Sequence, residues 1–482
     1  MHSQGIVKLS KTNEVNPNYF VTLEDYKKIT FRKEMRLLQK LVKEFKGKRI
    51  SFINATPQGG GVAIMRHALI RLYKLLKVDA HWYVLKPNEH AFNITKRKFH
   101  NILQNVAQDN IRLTKDEMRF YNNWIGKNAE FFKNVFKNSD VIVIDDSQPS
   151  GLISFIKKYN PNAKVIYRSH IQIVSKLVRN KKTPQNISWN FIWNNIKDAD
   201  CFVAHPIIDF VPENVPKEKT VFMPATTDPL DGLNRELTKK EILYFLRIFN
   251  EILIRQEGQK KLDLKRPFIV QIARFDPSKG ILDVLESYRK LRLMPGLESP
   301  PQLVICGNSS IDDPDGKPVF NEIIKLLKNT EYKKIAEDIK VIRLPHMDDV
   351  LNALLRKSTF ALQLSTKEGF EVKVTEALMK GKPVIAYKTG GIPLQIKNKI
   401  NGFLVEVGNT SKVAKHMHDL LTNENLYRKM SKLAKKYANR DYLTVPNAIC
   451  WLYLANQLTK NGAVVGNYSF VKKRAEREYV LK

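Results

Sequence analysis

Short apolar runs rich in β-branched residues alternate with helical segments in two long series, and this alternation constrains the fold most strongly. The first series starts with RISFINA at 49–55 and continues through AHWYVL, DVIVIDD and AKVIYRSH. The second starts with RPFIVQIARFD at 266–276 and continues through QLVICG, KVIRLP, FALQLS and PVIAYK. A strand, a helix and a further strand form a βαβ unit, whose strands are parallel. The sequence therefore predicts an α/β protein with two Rossmann-like domains that face each other across a cleft.

Domain limits follow from where the alternation starts and stops, and 482 residues suit two or three domains. An amphipathic helical pattern precedes the first series, a long helical segment separates the two series, and an apolar-faced helix ends the chain. The predicted segments are a helical extension at 1–46, an N-terminal Rossmann-like domain at 47–235, a helical connector at 236–262, a C-terminal Rossmann-like domain at 263–440, and a final helix with a tail at 441–482.

The chain carries 81 Lys and Arg residues against 48 Asp and Glu residues, which gives a formal net charge of +33. Such a surplus raises nucleic acid, membrane lipid or phosphorylated substrates as partners. The basic residues are spread along the whole sequence, which has neither an arginine-rich arm nor a basic low-complexity tail. We therefore favour a diffuse solvated surface over a dedicated nucleic-acid patch.

This interpretation predicts weak and salt-sensitive binding to nucleic acid. Contacts with phosphates are lost steeply as ionic strength rises, so a titration with a labelled duplex should show no binding at modest salt. Sequence-specific binding that survives physiological salt would contradict the diffuse surface.

Residue types and spacing disfavour several classes of protein. Cys201, Cys306 and Cys450 lie far apart and form no C-x-x-C pair, which argues against a disulfide scaffold and a cysteine zinc site. The sequence has no zinc signature, serine elbow or reactive-cysteine arrangement, so we expect no metal, no cofactor and no covalent serine or cysteine mechanism. The first residues lack an apolar signal region, and the most apolar windows are shorter than the ~20 residues that span a bilayer. We expect a cytoplasmic protein without membrane contact.

Two features of the first series are candidate site residues, because ligands bind beyond the carboxyl ends of strands in open α/β sheets. Gly60 and Gly61 lie between a strand and a helix, where the backbone can approach a phosphate or sugar closely. The same glycines also suit a tight turn without a ligand. His170 ends the strand VIYRSH, a position that favours function, although a lone histidine is more often structural.

The second series offers two pairs of charged residues. Arg274 ends a strand and Lys279 opens the next helix, so both suit an anion clamp in an exposed loop that follows a strand. Glu368 is predicted on a loop and Glu376 within the following helix. A loop carboxylate can accept hydrogen bonds from sugar hydroxyls, but glutamate also stabilises a helix start, and the residues alone leave both readings open.

These pairs, R-x4-K at Arg274 and Lys279 followed by E-x7-E at Glu368 and Glu376, resemble the retaining two-domain glycosyltransferases of family four. Longer segments, among them GGGVAIMRHALIRLYKLL, MPATTDPLDGLN and EGFEVKVTEALMKGKPVIA, are similar to the fungal trehalose phosphorylase and clock-controlled trehalose synthase group. Many members of the wider family read E-G-F-G, whereas this chain has Glu371 in the fourth place, as the fungal group does.

The resemblance implies roles on the phosphate side of the donor. Arg274 and Lys279 are implied to hold the donor phosphate or diphosphate. Gly60 and Gly61 are implied to approach that phosphate from the first domain, and Glu376 matches the position that binds the ribose of a nucleotide donor.

It also implies roles on the sugar side. Glu368, with the backbone of Gly369 and Phe370, is implied to bind hydroxyls of the transferred glucose, and His170 to lie beside its C6 side. The implied acceptor contacts are Asp145 and Asp146, which end the strand DVIVIDD.

The implied function is that of a retaining glucosyltransferase of trehalose metabolism. The leading version is a trehalose phosphorylase, which converts trehalose and phosphate reversibly into glucose and α-glucose 1-phosphate by front-face displacement. One alternative is a trehalose synthase that uses a nucleotide-diphosphate glucose. An alternative from another class is a non-catalytic basic protein on a glycosyltransferase scaffold. The implied partners are small substrates, with no specific nucleic acid, and a homodimer is left open.

Overall fold

The computed structural model describes residues 7–17, 20–308 and 316–479. Up to residue 228, the strands are β1 (Ile50–Asn54), β2 (Ala80–Val84), β3 (Val141–Asp145), β4 (Lys164–Arg168), β5 (Cys201–Ala204) and β6 (Thr220–Phe222). The helices of the same part are α1 (Leu23–Ile29), α2 (Arg32–Glu44), α3 (Gly61–Leu75), α4 (Glu89–Ile94), α5 (Asn101–Leu103), α6 (Lys115–Phe131), α7 (Lys133–Lys137), α8 (Leu152–Tyr159), α9 (Ser175–Val178) and α10 (Pro184–Ile196). A π-helical turn (Thr95–His100) joins α4 to α5.

The following strands are β7 (Phe268–Ile272), β8 (Gln302–Asn308), β9 (Ile339–Leu344), β10 (Ala361–Gln363), β11 (Val384–Tyr387) and β12 (Gly402–Val405). The accompanying helices are α11 (Lys239–Glu257), α12 (Ile281–Arg292), α13 (Gly316–Leu326), α14 (Thr330–Lys333), α15 (Asp348–Lys357), α16 (Val372–Met379), α17 (Thr410–Thr422) and α18 (Glu424–Tyr437). The last elements are α19 (Thr444–Asn461), β13 (Ser469–Phe470) and α20 (Val471–Tyr479).

The strands form two parallel sheets, as the βαβ pattern predicts. The first sheet has the order β13-β6-β5-β4-β3-β1-β2 and the second has the order β12-β11-β10-β7-β8-β9. Every residue of β1, β3 and β7 is buried. Helices cover both faces of a parallel sheet, and its strands therefore read as continuous apolar runs. The predicted fold class, α/β with two Rossmann-like domains, is confirmed.

The described residues form two compact units. The N-terminal unit contains the described residues up to Asp228 and those after Asn439, and the C-terminal unit contains those from Pro229 to Asn439. The segment predicted as a connector therefore belongs to the C-terminal unit, where Leu246 and Phe249 of α11 are buried.

The final helix, α19, belongs to the N-terminal unit and is buried along nearly its whole length. The Tyr73 hydroxyl of α3 donates to the Ala448 carbonyl at 2.8 Å, and Asn456 donates to the Leu41 carbonyl of α2 at 3.0 Å. The predicted extension at 1–46 and the predicted tail at 441–482 thus share one core in their described residues, because α19 packs against both α2 and α3.

Candidate functional site

In the C-terminal unit, neighbouring strands bring the two predicted charged pairs to one edge of the sheet. β7 pairs with β10, so the loop after β7, which carries Arg274 and Lys279, lies beside the loop after β10, which carries Glu368. The Thr366 backbone N–H donates to the Ser278 carbonyl at 2.7 Å and ties the two loops together. The carboxyl ends of parallel strands meet at one edge, which makes this juxtaposition the expected ligand side.

Lys279 is buried, with 8% of its surface exposed, so the expectation of an exposed loop side chain is wrong. The cause is a tight approach at Gly280, whose φ is 57°. A Cβ atom at this position would lie 1.9 Å from the Leu364 carbonyl oxygen, so only glycine allows the loop to pack so closely against its neighbour.

The Lys279 ammonium is shared by two carboxylates. Its Nζ donates to Oε2 of Glu368 and, at 2.6 Å, to Oε2 of Glu371. Gln363 donates to the same Glu371 oxygen at 2.9 Å, and the Gly369 N–H donates to Oε1 of Glu368 at 3.0 Å. The structure thus joins Lys279 and Glu368, and it adds Glu371, to which the sequence assigned no role in the site.

Burial and the ion pairs shift the pKa values of this group in opposite directions. Burial raises the pKa of Glu368 to about 7, against the lowering effect of Lys279 and with a further rise from Glu371. Burial acts on Glu371 as well, but Lys279 outweighs it and holds that pKa below its usual range. Burial would lower the pKa of Lys279, but the two carboxylates raise it above its ordinary value. The ammonium therefore stays charged, and the carboxylate pair gives up its last proton near neutral pH.

The backbone at 368–370 is held by a glycine turn at Gly390 and Gly391. The Gly391 N–H donates to the Gly369 carbonyl at 2.9 Å, and a Cβ atom at Gly390 would lie 1.9 Å from the Glu368 carbonyl oxygen. Phe370 is buried below this turn. Backbone packing therefore fixes the positions of residues 368–370.

Glu376 is buried in α16 and pairs within its own helix. Lys373 Nζ donates to Oε2 of Glu376 at 2.7 Å, and the side chain of Glu376 is 2% exposed. Lys380, one turn later, donates to Asn234 at 2.7 Å. Arg274 follows β7 and is partly buried.

In the N-terminal unit, Asp145 connects two of its neighbours. Arg66 of α3 donates to both carboxylate oxygens of Asp145 at 2.7 Å, and His170 Nε2 lies 2.9 Å from Oδ1. The order β4-β3-β1 explains the cluster, because Asp145 ends β3, His170 follows β4, and α3 follows β1. The sequence proposed Asp145 and His170 separately, and the structure joins them through Arg66.

Ionisation in this cluster fixes how His170 is protonated. Burial alone would raise the pKa of Asp145, but Arg66 and His170 outweigh burial and bring it to about 2. Burial lowers the pKa of His170 to about 4. At neutral pH the imidazole is therefore uncharged, with its Nε2–H donated to the ionised Asp145 and its Nδ1 left as an acceptor.

Asp146 differs from its neighbour in both backbone and charge. Its φ of 71° lies in the left-handed region, and its Oδ2 lies 3.3 Å from His100 Nε2. Burial raises the pKa of Asp146 to about 7. Near neutral pH, Asp145 is therefore ionised, whereas the adjacent Asp146 gains and loses a proton.

Two further buried polar residues lie next to this cluster. Arg168 Nη2 lies 3.2 Å from His205 Nδ1, and His205 Nε2 lies 3.1 Å from the His170 carbonyl oxygen. Burial lowers the pKa of Arg168 to about 9. Arg168 and His205 lie at the ends of the apolar strand segments AKVIYRSH and DCFVAH, as His170 does. A polar side chain at the end of an apolar strand is therefore the sequence signal that points to all three residues, although only His170 was predicted from it.

Gly60 and Gly61 form an open helix start. Gly60 caps α3, and a Cβ atom at either glycine would meet nothing within 4 Å. The space beside these two glycines is therefore open at the start of a helix, a position that suits an anion or a sugar oxygen.

Among the described residues, no cluster of three or more His, Cys, Asp and Glu side chains is arranged to hold a metal ion. Cys201, Cys306 and Cys450 are buried thiols. None of the described helices combines the length and apolar character needed to cross a bilayer.

Comparison with known families matches both units. Residues 52–212 match the family described as trehalose synthase, N-terminal domain, and residues 254–437 match glycosyl transferases group 1. Sucrose-phosphate synthase from Thermosynechococcus elongatus has a similar structure, with a TM-score of 0.62 and 16% identity over 85% of this chain and 99% of that one. GT-B is the name of the fold built from two Rossmann-like domains, and this likeness confirms it for this chain.

The chain is 44% identical to the trehalose phosphorylase of Pleurotus pulmonarius over 95% of its own length, and it spans 64% of that fungal protein. It is 33% identical to the trehalose synthase of Pyrococcus horikoshii over 90% of its own length and 96% of that protein. These relatives, together with the two matched domains, show that the chain belongs to the trehalose synthase family of group 1 glycosyltransferases.

Proposed function

We propose that the protein is a trehalose phosphorylase of the retaining family four glycosyltransferases. In the reaction, a phosphate oxygen bonds to the anomeric carbon of one glucose unit of trehalose as the bond to the second glucose breaks. The products are α-glucose 1-phosphate and glucose. The observation that carries the proposal is the 44% identity to a fungal trehalose phosphorylase over 95% of this chain.

In the C-terminal unit, Lys279 and Arg274 bind the phosphate. Lys279 is held in place by Glu368 and Glu371, so its ammonium is preorganised. In the synthetic direction phosphate is the leaving group, and a charge that is already in place needs no rearrangement as negative charge develops on that phosphate. Glu368 and the backbone of Gly369, fixed by the turn at Gly390, bind hydroxyls of the transferred glucose.

In the N-terminal unit, His170 accepts a hydrogen bond from a sugar hydroxyl through Nδ1, because Nε2–H is donated to Asp145. Asp145, whose carboxylate is buried and bonded to Arg66 and His170, holds His170 in place. Asp146 contacts the acceptor sugar, and Gly60 and Gly61 let the backbone approach a phosphate. These roles depend on the burial and hydrogen bonds that hold each side chain in one orientation.

The chemistry requires no covalent intermediate on the protein. In the synthetic direction, phosphate leaves the anomeric carbon and one of its oxygens takes the proton of the incoming glucose hydroxyl on the same face. Bond making and bond breaking on one face retain the α configuration. Catalysis then rests on positioning and on charge stabilisation by Lys279 and Arg274.

A nucleotide-diphosphate glucose donor is the second candidate, since the chain covers 96% of the Pyrococcus horikoshii trehalose synthase. That donor needs a side chain that accepts hydrogen bonds from its ribose, and the family resemblance implies that Glu376 has this role. The carboxylate of Glu376 is buried and bonded to Lys373 at 2.7 Å, which argues against this use. A non-catalytic binding role is the third candidate, and the preorganised Lys279 argues against it.

We expect the protein to form glucose 1-phosphate from trehalose and phosphate, and Glu376→Gln to change the rate per folded molecule by less than about ten-fold. Uridine or adenosine diphosphate should raise the thermal midpoint little more than phosphate does, because stabilisation follows affinity. Enzyme-coupled detection of glucose 1-phosphate and thermal shift assays measure both effects. Trehalose formed from a nucleotide sugar, with strong protection by the diphosphate, would favour the synthase, and no turnover with any donor would favour the binding role.

A further inference from the structure

Glu371 has a backbone conformation that its residue type does not favour. Its φ is 65° and its ψ is 78°, in the left-handed region, where a side chain is strained and glycine is not. Strained residues persist where the surrounding structure holds them, and they concentrate at functional sites. The side chain of Glu371 should therefore have a use that outweighs this strain.

The contacts of Glu371 go beyond capping its helix. Oε1 accepts the Lys373 backbone N–H at 3.3 Å, a long capping bond, whereas Oε2 accepts Lys279 Nζ at 2.6 Å and Gln363 at 2.9 Å. The stronger contacts point into the anion site. The Glu371 carboxylate is therefore bonded to the ammonium of Lys279, which binds phosphate in the proposed function.

Charged groups around this position are negative in excess. Glu368 and Glu371 face Lys279, and the next ammonium along α16, that of Lys373, is bonded to Glu376. Asp348, whose pKa burial raises to about 6, faces Lys373 as well. A phosphate dianion that enters this site meets Lys279 and, by the proposed function, Arg274, but it also meets the two carboxylates that share Lys279. The negative charge of that carboxylate pair therefore opposes the binding of the dianion.

We propose that Glu371 sets the phosphate affinity of this site: phosphate displaces its carboxylate from Lys279, and the Glu368–Glu371 pair takes up one proton from solvent as phosphate binds. The inference rests on the proposed phosphate role of Lys279. No covalent bond changes in this step, and the proton returns to solvent when the anion leaves.

The sign of the pH dependence follows from the free protein. Burial raises the pKa of Glu368 to about 7, so below neutrality the pair already holds its proton and binding needs none. Above neutrality the pair must gain a proton, and affinity falls by up to about ten-fold per pH unit for one proton. Anion affinity is thus expected to fall as the pH rises above 7.

Sulfate is the probe, because inorganic phosphate itself exchanges a proton within the pH range of the titrations, whereas sulfate stays a dianion. Calorimetric titrations of the full chain in two buffers of different protonation enthalpy, at about pH 6 and about pH 8, measure affinity and proton uptake together. We expect uptake of about one proton at the higher pH and little at the lower. Glu371→Gln should abolish the uptake and bind sulfate about ten-fold more tightly at the higher pH.

Glu406→Gln is the matched control, because it removes an exposed carboxylate of the same unit. It should bind sulfate as the unchanged protein does. If Glu371→Gln takes up as many protons and binds sulfate as tightly as the unchanged protein does, the inference is wrong. Sulfate binding to neither protein would overturn the anion site and the inference together, whereas the expected sulfate results without phosphorolysis would overturn the proposed function alone.

A second pair of variants separates the carboxylate from the backbone. Lys399 has the same φ of 65° and is exposed, so Lys399→Gly relieves the same strain away from the site. Lys399→Gly should keep or raise the thermal midpoint. Glu371→Gly relieves the same strain but also removes the buried bonds of its carboxylate to Lys279 and Gln363. Only Glu371→Gly should change sulfate affinity, and an equal change in both would overturn the role of the Glu371 carboxylate.

Discussion

Lys279→Met is expected to lower the rate of phosphorolysis by at least about ten-fold. The ammonium makes charge-assisted hydrogen bonds worth about 1.5–3 kcal/mol each, and about 1.4 kcal/mol corresponds to a factor of ten. Because the negative charge on phosphate grows as the glycosidic bond breaks, the loss should appear in kcat as well as in KM. Steady-state kinetics of glucose 1-phosphate formation measure both.

Burial of Lys279 adds a stability effect to this variant. Without the ammonium, Glu368 and Glu371 are buried carboxylates without their cation, so their pKa values rise above those of the unfolded chain. A raised carboxyl pKa destabilises the folded state at high pH, and the penalty fades as the pH falls and the pair is protonated. The difference in the free energy of unfolding between Lys279→Met and the unchanged protein should therefore shrink as the pH is lowered from about 8 to about 5.

Lys382→Met is the matched control, because it removes another ammonium of the C-terminal unit that also makes a hydrogen bond. Lys382 Nζ donates to the Ser358 carbonyl at 2.6 Å, and the residue precedes β11, at the amino end of the strand. Its loss should leave turnover unchanged. Near-normal turnover in a folded Lys279→Met protein would show that phosphate is bound elsewhere.

Arg66→Met is expected to lower the free energy of unfolding of the N-terminal unit by about 3–5 kcal/mol. Arg66 is buried, donates twice to Asp145 at 2.7 Å, and lies over the rings of Phe52 at 4.4 Å and Trp451 at 4.9 Å. Its removal leaves the Asp145 carboxylate buried without this cation. The largest part of the loss is therefore the cost of an unpaired charge.

The pH dependence provides a sharp check. In the unchanged protein the pKa of Asp145 is about 2, below its unfolded value, so its contribution is present at neutral pH and is lost only in acid. In Arg66→Met the pKa of Asp145 should rise. The difference in stability between the two proteins should then shrink as the pH falls from about 7 to about 4.

The unfolding of this unit can be followed separately. All five tryptophans lie in the N-terminal unit, so their fluorescence reports its unfolding in denaturant. Arg49→Met, which breaks a half-exposed ion pair with Asp79, is the control and should cost about 1 kcal/mol or less. Asp145→Asn in the Arg66→Met background should recover part of the loss, and a loss similar to that of Arg49→Met would contradict a tightly buried pair.

The sequence alone predicted both sheets and the edge at which a site should lie. Strands buried on both faces, such as β1 and β3, read as apolar runs without any knowledge of their partners. Lys279 and Glu368 could each be placed on the ligand side because each follows a strand, and the family resemblance implied that both contact the donor. These features depend on local patterns and on a general rule of topology.

Only the tertiary structure decided which side chains meet. Arg66 lies 79 residues from Asp145, and its partners Phe52 and Trp451 come from β1 and from the last long helix, so no local pattern joins them. Glu371 had no role in the site that could be derived from the sequence, because its left-handed backbone and its bond with Lys279 depend on the folded loop. Amphipathic and apolar patterns specify that a face is buried, but which residues cover it, and so which charges are paired and which pKa values shift, depends on contacts between distant parts of the chain.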